Sequence, residues 1–188
     1  MLNMITNFDN LCSELEKQEL EATNGVASPS TYAQLLAIYL YQNDLCNAKF
    51  LWKRIPPNII SSNPEIAAIW TVGQKLWKKD LAGTYQALAM YNWTEPISNI
   101  IRALEERVRE RALNLIGRSY SSISHNTMVS MTGLSNEAIT QICKERKWEI
   151  SEDGTTIKPV PPVQPTPLHT SSEDQLFKLT DFVTFLEN

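Results

Sequence analysis

The sequence predicts a mainly α-helical protein: tetratricopeptide-like helix pairs, then a winged helix, then a proline-rich linker and a last helix. Three observations lead there. Two helix-start signals, Ser28-Pro29 and Asn63-Pro64, each head an apolar stripe at helical spacing. Between 125 and 158, helix, glycine turn, helix and β-hairpin signals follow one another. Five of the ten prolines fall between 159 and 167. The expected units are residues 1–115, 116–158, 159–171 and 172–188.

Ser28 is a good N-cap, and Pro29 fits the first helical position, where an N–H would be orphaned anyway. Tyr32, Leu35, Leu36, Tyr39 and Leu40 then form one face. No charge occurs from 23 to 43, so this helix is expected to be buried. A shorter helix, Leu45 to Ile55, is expected to stop at Pro56-Pro57. After Asn63-Pro64, the stripe Ile66, Ile69, Trp70, Gly73, Leu76, Trp77 carries a glycine that would admit a close neighbour. Leu81 to Tyr91 forms the next short helix. Shifting the chain by 36 residues places Asp44-Leu45, Ala48 and Leu51 on Asp80-Leu81, Thr84 and Ala87. A helix-pair period of that length suggests repeat stacking, though only two copies are visible.

Thr94-Glu95-Pro96 opens a longer helix with Ile97, Ile100, Ile101, Leu104, Val108 and Leu115 on one side. The other side, Arg102 to Arg111, holds four arginines and three glutamates. It reads as a solvated face, with Glu105 and Arg109 in the favourable order for an i,i+4 pair. The sharper alternative is an arginine cluster for an acidic partner.

Ser119 to Ser124 reads as a polar connection, and His125 to Thr132 as a small helix ended by Gly133. Ser135 caps the next helix, with Leu134 stapled onto Ile139. Trp148 to Ser151 alternates like a strand, Asp153-Gly154 signals a hairpin turn, and Thr155 to Lys158 returns. Alternation points Trp148, Ile150 and Ile157 to the core. Thr155, Thr156 and Ile157 are expected to form a wing edge whose free backbone groups pair with a partner.

The proline density at 159–167 allows neither a helix nor a central strand. Ser172-Glu173-Asp174-Gln175 is a capping-box pattern that opens the last helix. Leu176, Leu179, Val183 and Leu186 follow a 3-4-3 spacing, the seam of a helix packing on other helices, and Phe182 and Phe185 widen the face. These six residues are the candidate partner-binding set.

Composition narrows the function. The apolar fraction is 43%, enough for a core. The longest apolar run, Leu35 to Tyr41, is far short of the roughly 20 residues of a membrane span. The first base is Lys17, so no secretory leader is expected, and the expected location is the cytoplasm and nucleus. Net charge is −4, and the most basic stretch, residues 44–111, reaches only +3. The bases near the winged helix, Lys144, Arg146 and Lys147, lie at the wrong end of their helix for base readout, and Glu137 sits at the right one. Nucleic-acid binding is therefore the weaker reading. Cys12, Cys46 and Cys143 are isolated, as are His125 and His169. No metal motif, phosphate loop or catalytic pairing is present, so neither cofactor nor enzyme activity is expected.

Helical repeats running into a single winged helix resemble the PCI module. That family supplies scaffold subunits of the proteasome lid, the COP nine signalosome and translation initiation factor three. Within it the sequence is similar to the branch of small signalosome subunits. The stretches that carry the resemblance are Gln18 to Ala22, Asn43-Asp44, Ala48, Leu51-Trp52-Lys53-Arg54-Ile55-Pro56-Pro57, Ile69-Trp70, Val72-Gly73-Gln74, Leu179 to Val183 and Phe185 to Asn188. The resemblance implies a non-catalytic assembly subunit of the complex that deneddylates cullin-RING ubiquitin ligases. It implies contacts to PCI neighbours through the winged helix and to all subunits through a C-terminal helical bundle. The alternatives are the small PCI subunit of initiation factor three, and a winged-helix nucleic-acid binder.

Overall fold

A computed structural model describes residues 2–22, 25–151, 153–161 and 172–187, without the side chains of residues 2–7 and 172–174. The chain is mainly helical. Helices α1 (Leu2–Leu20), α2 (Pro29–Gln42), α3 (Leu45–Arg54), α4 (Pro57–Ser62), α5 (Pro64–Trp77), α6 (Leu81–Ala89) and α7 (Ile97–Ser119) come first. Then follow β1 (Ile123–Ser124), α8 (His125–Thr132), α9 (Asn136–Glu145), β2 (Glu149–Ile150), β3 (Thr156–Lys158) and α10 (Ser172–Glu187).

Helix α2 is the centre of the first core. Ser28 Oγ accepts from the Thr31 N–H, and Pro29 opens the helix as its sequence requires. Packed against α1, α3, α5 and α7, it buries ten of its fourteen residues. A helix surrounded this way cannot carry charge, which explains the uncharged stretch. Its polar ties to α1 include the Tyr39 hydroxyl, which donates to Glu16 at 2.7 Å, and the Gln42 amide, which donates to Asp9 at 2.8 Å. Burial and the Glu16 carboxylate push the phenol above its usual range. Gly73 of α5 leaves room for α2: a Cβ there would lie 3.1 Å from Leu40 Cδ2.

The 36-residue correspondence is visible in local geometry. Asn43 and Lys79 both adopt left-handed backbone, with φ of 64° and 57°. The next residue caps the following helix in each case: Asp44 accepts from the Asn47 N–H at 3.0 Å, and Asp80 from the Gly83 N–H at 2.9 Å. The aligned Ala48 and Thr84 are both fully buried.

Helix α7 joins two cores. Its residues Ile97 to Val108 belong to the first, and Leu113 and Ile116 to a second formed with Ile123, Met128, Ile139, Cys143, Trp148 and Ile157. The boundary expected between 115 and 116 thus falls inside one continuous helix. Leu115, expected in the buried stripe, is half exposed, because the core that α7 meets changes side along its length.

Several expectations need correction. Pro56-Pro57 does end α3, but Pro57 also starts α4, since proline suits a first helical turn. Asn63 does not cap α5: its side-chain amide donates to the Ile59 carbonyl and closes α4 instead. The polar connection before His125 contains β1, which pairs antiparallel with β3 (Ile123 opposite Ile157, Ser124 opposite Thr156). Strand β2 pairs with the other side of β3 (Glu149 opposite Lys158, Ile150 opposite Ile157). The sheet order is therefore β1-β3-β2. The Pro162–Ser171 part of the expected linker, with His169, lies outside the described residues. Among the described residues, no helix is long and apolar enough to cross a membrane.

Candidate docking surfaces

Helix α10 concentrates exposed apolar surface. At 100° per residue, Leu176, Leu179, Phe182, Val183 and Leu186 fall on an arc of about 120°, and Phe185 lies about 60° beyond it. All six are exposed, from 48% at Val183 to 79% at Leu186. Phe177, absent from the expected set, is 68% exposed and lies off the arc. Only its size marks it out, because it breaks the 3-4-3 spacing. Thr180 and Thr184 donate their hydroxyls to carbonyls four residues back, so two polar groups are satisfied within the helix itself. The capping box at Ser172 involves side chains outside the described set.

The residues expected to form a wing edge stand differently. Thr155, Thr156 and Ile157 were expected along a free edge, but β3 is the central strand and is paired on both sides. The Thr155 carbonyl accepts from the His125 N–H at 2.9 Å, and the Thr156 carbonyl from the Ser151 N–H at 2.9 Å. Ile157 is fully buried. The cause is β1, a two-residue strand whose single apolar residue carries no period-2 signal. The outer strands are β1 and β2. Ile150, opposite Ile157, shares its face, yet it is 38% exposed on the outer strand and does not join the core as expected.

The arginine face of α7 is largely engaged. Arg109 Nη2 pairs with Glu105 at 2.6 Å, as the spacing predicts, and its Nε donates to the Thr132 carbonyl of α8. Arg107 lies 3.9 Å from Glu110 and 6.0 Å over the Tyr41 ring. Arg111 is half-buried, and burial beside Arg107 depresses its pKa. Among the described residues its Nη2 and the Tyr85 hydroxyl are buried without a partner. Near α9, Arg146 folds back to donate to Asn114 of α7 and sits 5.8 Å over Trp148. Glu137 occupies the first turn of α9. That layout offers no basic row at the end a groove reader would use. No group of His, Cys, Asp or Glu among the described residues is placed to hold a metal ion.

Comparison with known proteins fits this arrangement. The model of the CSN8/PSMD8/EIF3K family matches residues 26–167, most of the chain. The chain belongs to that family. It is 43% identical to the COP9 signalosome complex subunit 8 of Danio rerio over 180 residues, covering 96% of this chain and 94% of that one. It is 41% identical to the subunit of the same name in Xenopus laevis, over 97% of this chain and 93% of that one. With the Drosophila melanogaster subunit 8 the identity is 32%, over 98% and 99%. In all three the likeness spans almost the full length of both proteins, so it reaches past the family match into α10.

Proposed function

We propose that the chain is a non-catalytic assembly subunit of the COP9 signalosome, the complex that deneddylates cullin-RING ubiquitin ligases, in the cytoplasm and nucleus. The observation that carries this is α10: a sixteen-residue helix whose apolar side chains all face solvent in the single chain. Burying six of them gains about 9–18 kcal/mol gross, at about 1.5–3 per side chain. That is of the size needed to offset the roughly 4–15 kcal/mol that association costs. The near-full-length likeness to subunits named for the signalosome supports the choice of complex.

In this reading the helices before α7 stack as tetratricopeptide-like pairs, supported by the matching turns at Asn43 and Lys79. The end of α7, β1, α8, α9, β2 and β3 act as a winged helix, supported by their order and by the three-stranded antiparallel sheet. Partner subunits meet the outer strands. The outer edge of β2, with Ile150 exposed, takes the place expected for β3. The chain supplies no catalytic group, and the isopeptidase chemistry belongs to another subunit.

Affinity purification of the tagged full chain from cell extract, followed by mass spectrometry, tests the reading. Signalosome subunits and cullins should co-purify in near-equal amounts. Recovery of initiation factor three with small ribosomal subunits would overturn it. So would cleavage of a neddylated cullin by the purified single chain.

A further inference from the structure

A second surface, on α3 and α5, has a chemistry that the assembly role does not use. Trp52 of α3 stacks on Trp70 of α5, with ring centroids 5.4 Å apart and planes 11° from parallel. About two turns further along α5, Trp77 remains 49% exposed. Lys49 Nζ lies 4.8 Å from the centroid of the Trp77 ring. Between these groups is a cleft of about 130 Å³ lined by Lys49, Trp70, Gln74, Trp77 and Lys78. Pockets for drug-sized molecules are roughly 300–1,000 Å³, so this cleft has room for a single side chain.

The lysines around it form no ion pair among the described residues, although Asp80 lies near enough to Lys78 to feel its charge. Arg54 and Lys75, on the same two helices, pair with Glu19 at 2.8 Å and Asp80 at 3.0 Å. Lys49 and Lys78 flank the cleft, and among the described residues neither has a carboxylate within ion-pair distance. An apolar slot rimmed by unpaired ammonium groups is complementary to one large apolar side chain flanked by carboxylates.

We propose that this α3/α5 face is a docking site for an acidic segment of a partner protein that inserts a leucine-sized or aromatic anchor between Trp70 and Trp77. Its carboxylates meet Lys49 and Lys78. Single-stranded nucleic acid also seeks tryptophans and bases, but it needs free ring faces for stacking. Here Trp52 covers a face of Trp70, and the Lys49 ammonium lies over Trp77. A side chain inserted edge-on requires neither face.

The test is selection of a phage-displayed library of random twelve-residue peptides on the full chain, counter-screened on the double variant Lys49→Glu, Lys78→Glu. Enriched peptides should be net acidic, contain a large apolar residue and weaken with rising salt. Their affinity should fall about tenfold or more in the double variant, because both attractions become like-charge repulsions. Trp77→Ala, at a half-exposed position, should cause a similar loss without lowering the melting temperature, and it carries the test if the double variant folds poorly. Four results would overturn the proposal. They are peptides without acidic character, peptides that bind the double variant equally well, charge-sensitive binding of polyuridylate instead, and displacement of the peptides by the chain's own 172–188 segment. None of the substitutions touches α10, so complex entry is read independently.

Discussion

Gly133 tests whether the two cores form one packed body. It terminates α8 in left-handed backbone, φ 65°, and its N–H donates to the Val129 carbonyl. A Cβ there would lie 2.8 Å from Cγ of Tyr85, on α6. Gly154 is a natural control: its φ is 64°, and an added Cβ meets nothing within 4 Å. Gly154→Ala therefore isolates the backbone cost, about 1–2 kcal/mol. Gly133→Ala carries that cost plus an overpacking term of about 1–3 kcal/mol, because Cγ can move only if the whole ring swings off its rotamer. At roughly 2–4 °C per kcal/mol for a chain of this size, the two melting temperatures should fall by about 2–8 °C and 4–20 °C. Chemical denaturation gives the free energies directly. The excess in Gly133→Ala should vanish when Tyr85→Ala is added, as two residues in contact are non-additive. Equal losses in the two glycine variants, or an excess that survives Tyr85→Ala, would refute the contact between α6 and the end of α8.

Other consequences are simpler to read. Asp44→Ala removes the α3 cap and should cost about 0.5–2 kcal/mol in denaturant melts. The Asp80 carboxyl is held below its usual range by the Gly83 N–H and then by Lys75. Its contribution is present above the unfolded carboxyl pKa and is lost as pH falls through the folded one. The stability gap between the parent and Asp80→Asn should therefore be full at neutral pH and close in acid; a pH-independent gap would contradict this. Cys46 is exposed, whereas burial, reinforced by Glu16, raises the Cys12 thiol to about 12, and burial raises that of Cys143. At mildly alkaline pH one thiol should alkylate quickly and two only on unfolding, as mass spectrometry of labelled peptides would show; three equal rates would contradict the burial.

Much of the fold could be read because its signals are local. Ser28, Ser135 and Gly133 set helix ends through interactions spanning a few residues, and each does in the structure what its type suggests. Gly73 could be read because only a missing side chain explains a glycine within an apolar stripe. What escaped depends on distant pairing or on competing local bonds. Strand β1 exists because β3 offers it a partner, and nothing within Ser119 to Ser124 records that. The side chain of Asn63 chose the carbonyl behind it over the helix ahead. The apolar side of α10 could be read from its 3-4-3 spacing, since an amphipathic helix shows it whether or not a partner is present, but the exposed Phe177, off that spacing, could not. The α3/α5 cleft was not legible: Trp70 and Trp77 belong to one apolar stripe, and only the packing shows that Trp70 stacks on Trp52 while Trp77 faces solvent.

The most direct measurement compares three forms of the chain in reconstitution with the other signalosome subunits: full length, residues 1–167, and Leu179→Asp. Because the described α10 side chains are exposed in the single chain, all three should melt within a few degrees of one another, by the roughly 2–4 °C per kcal/mol of lost stability. Incorporation, read by size exclusion and native mass spectrometry, should be complete for the full chain, strongly reduced for Leu179→Asp and nearly absent for residues 1–167. A truncated chain that enters the complex normally, or one that melts far lower alone, would contradict docking through α10.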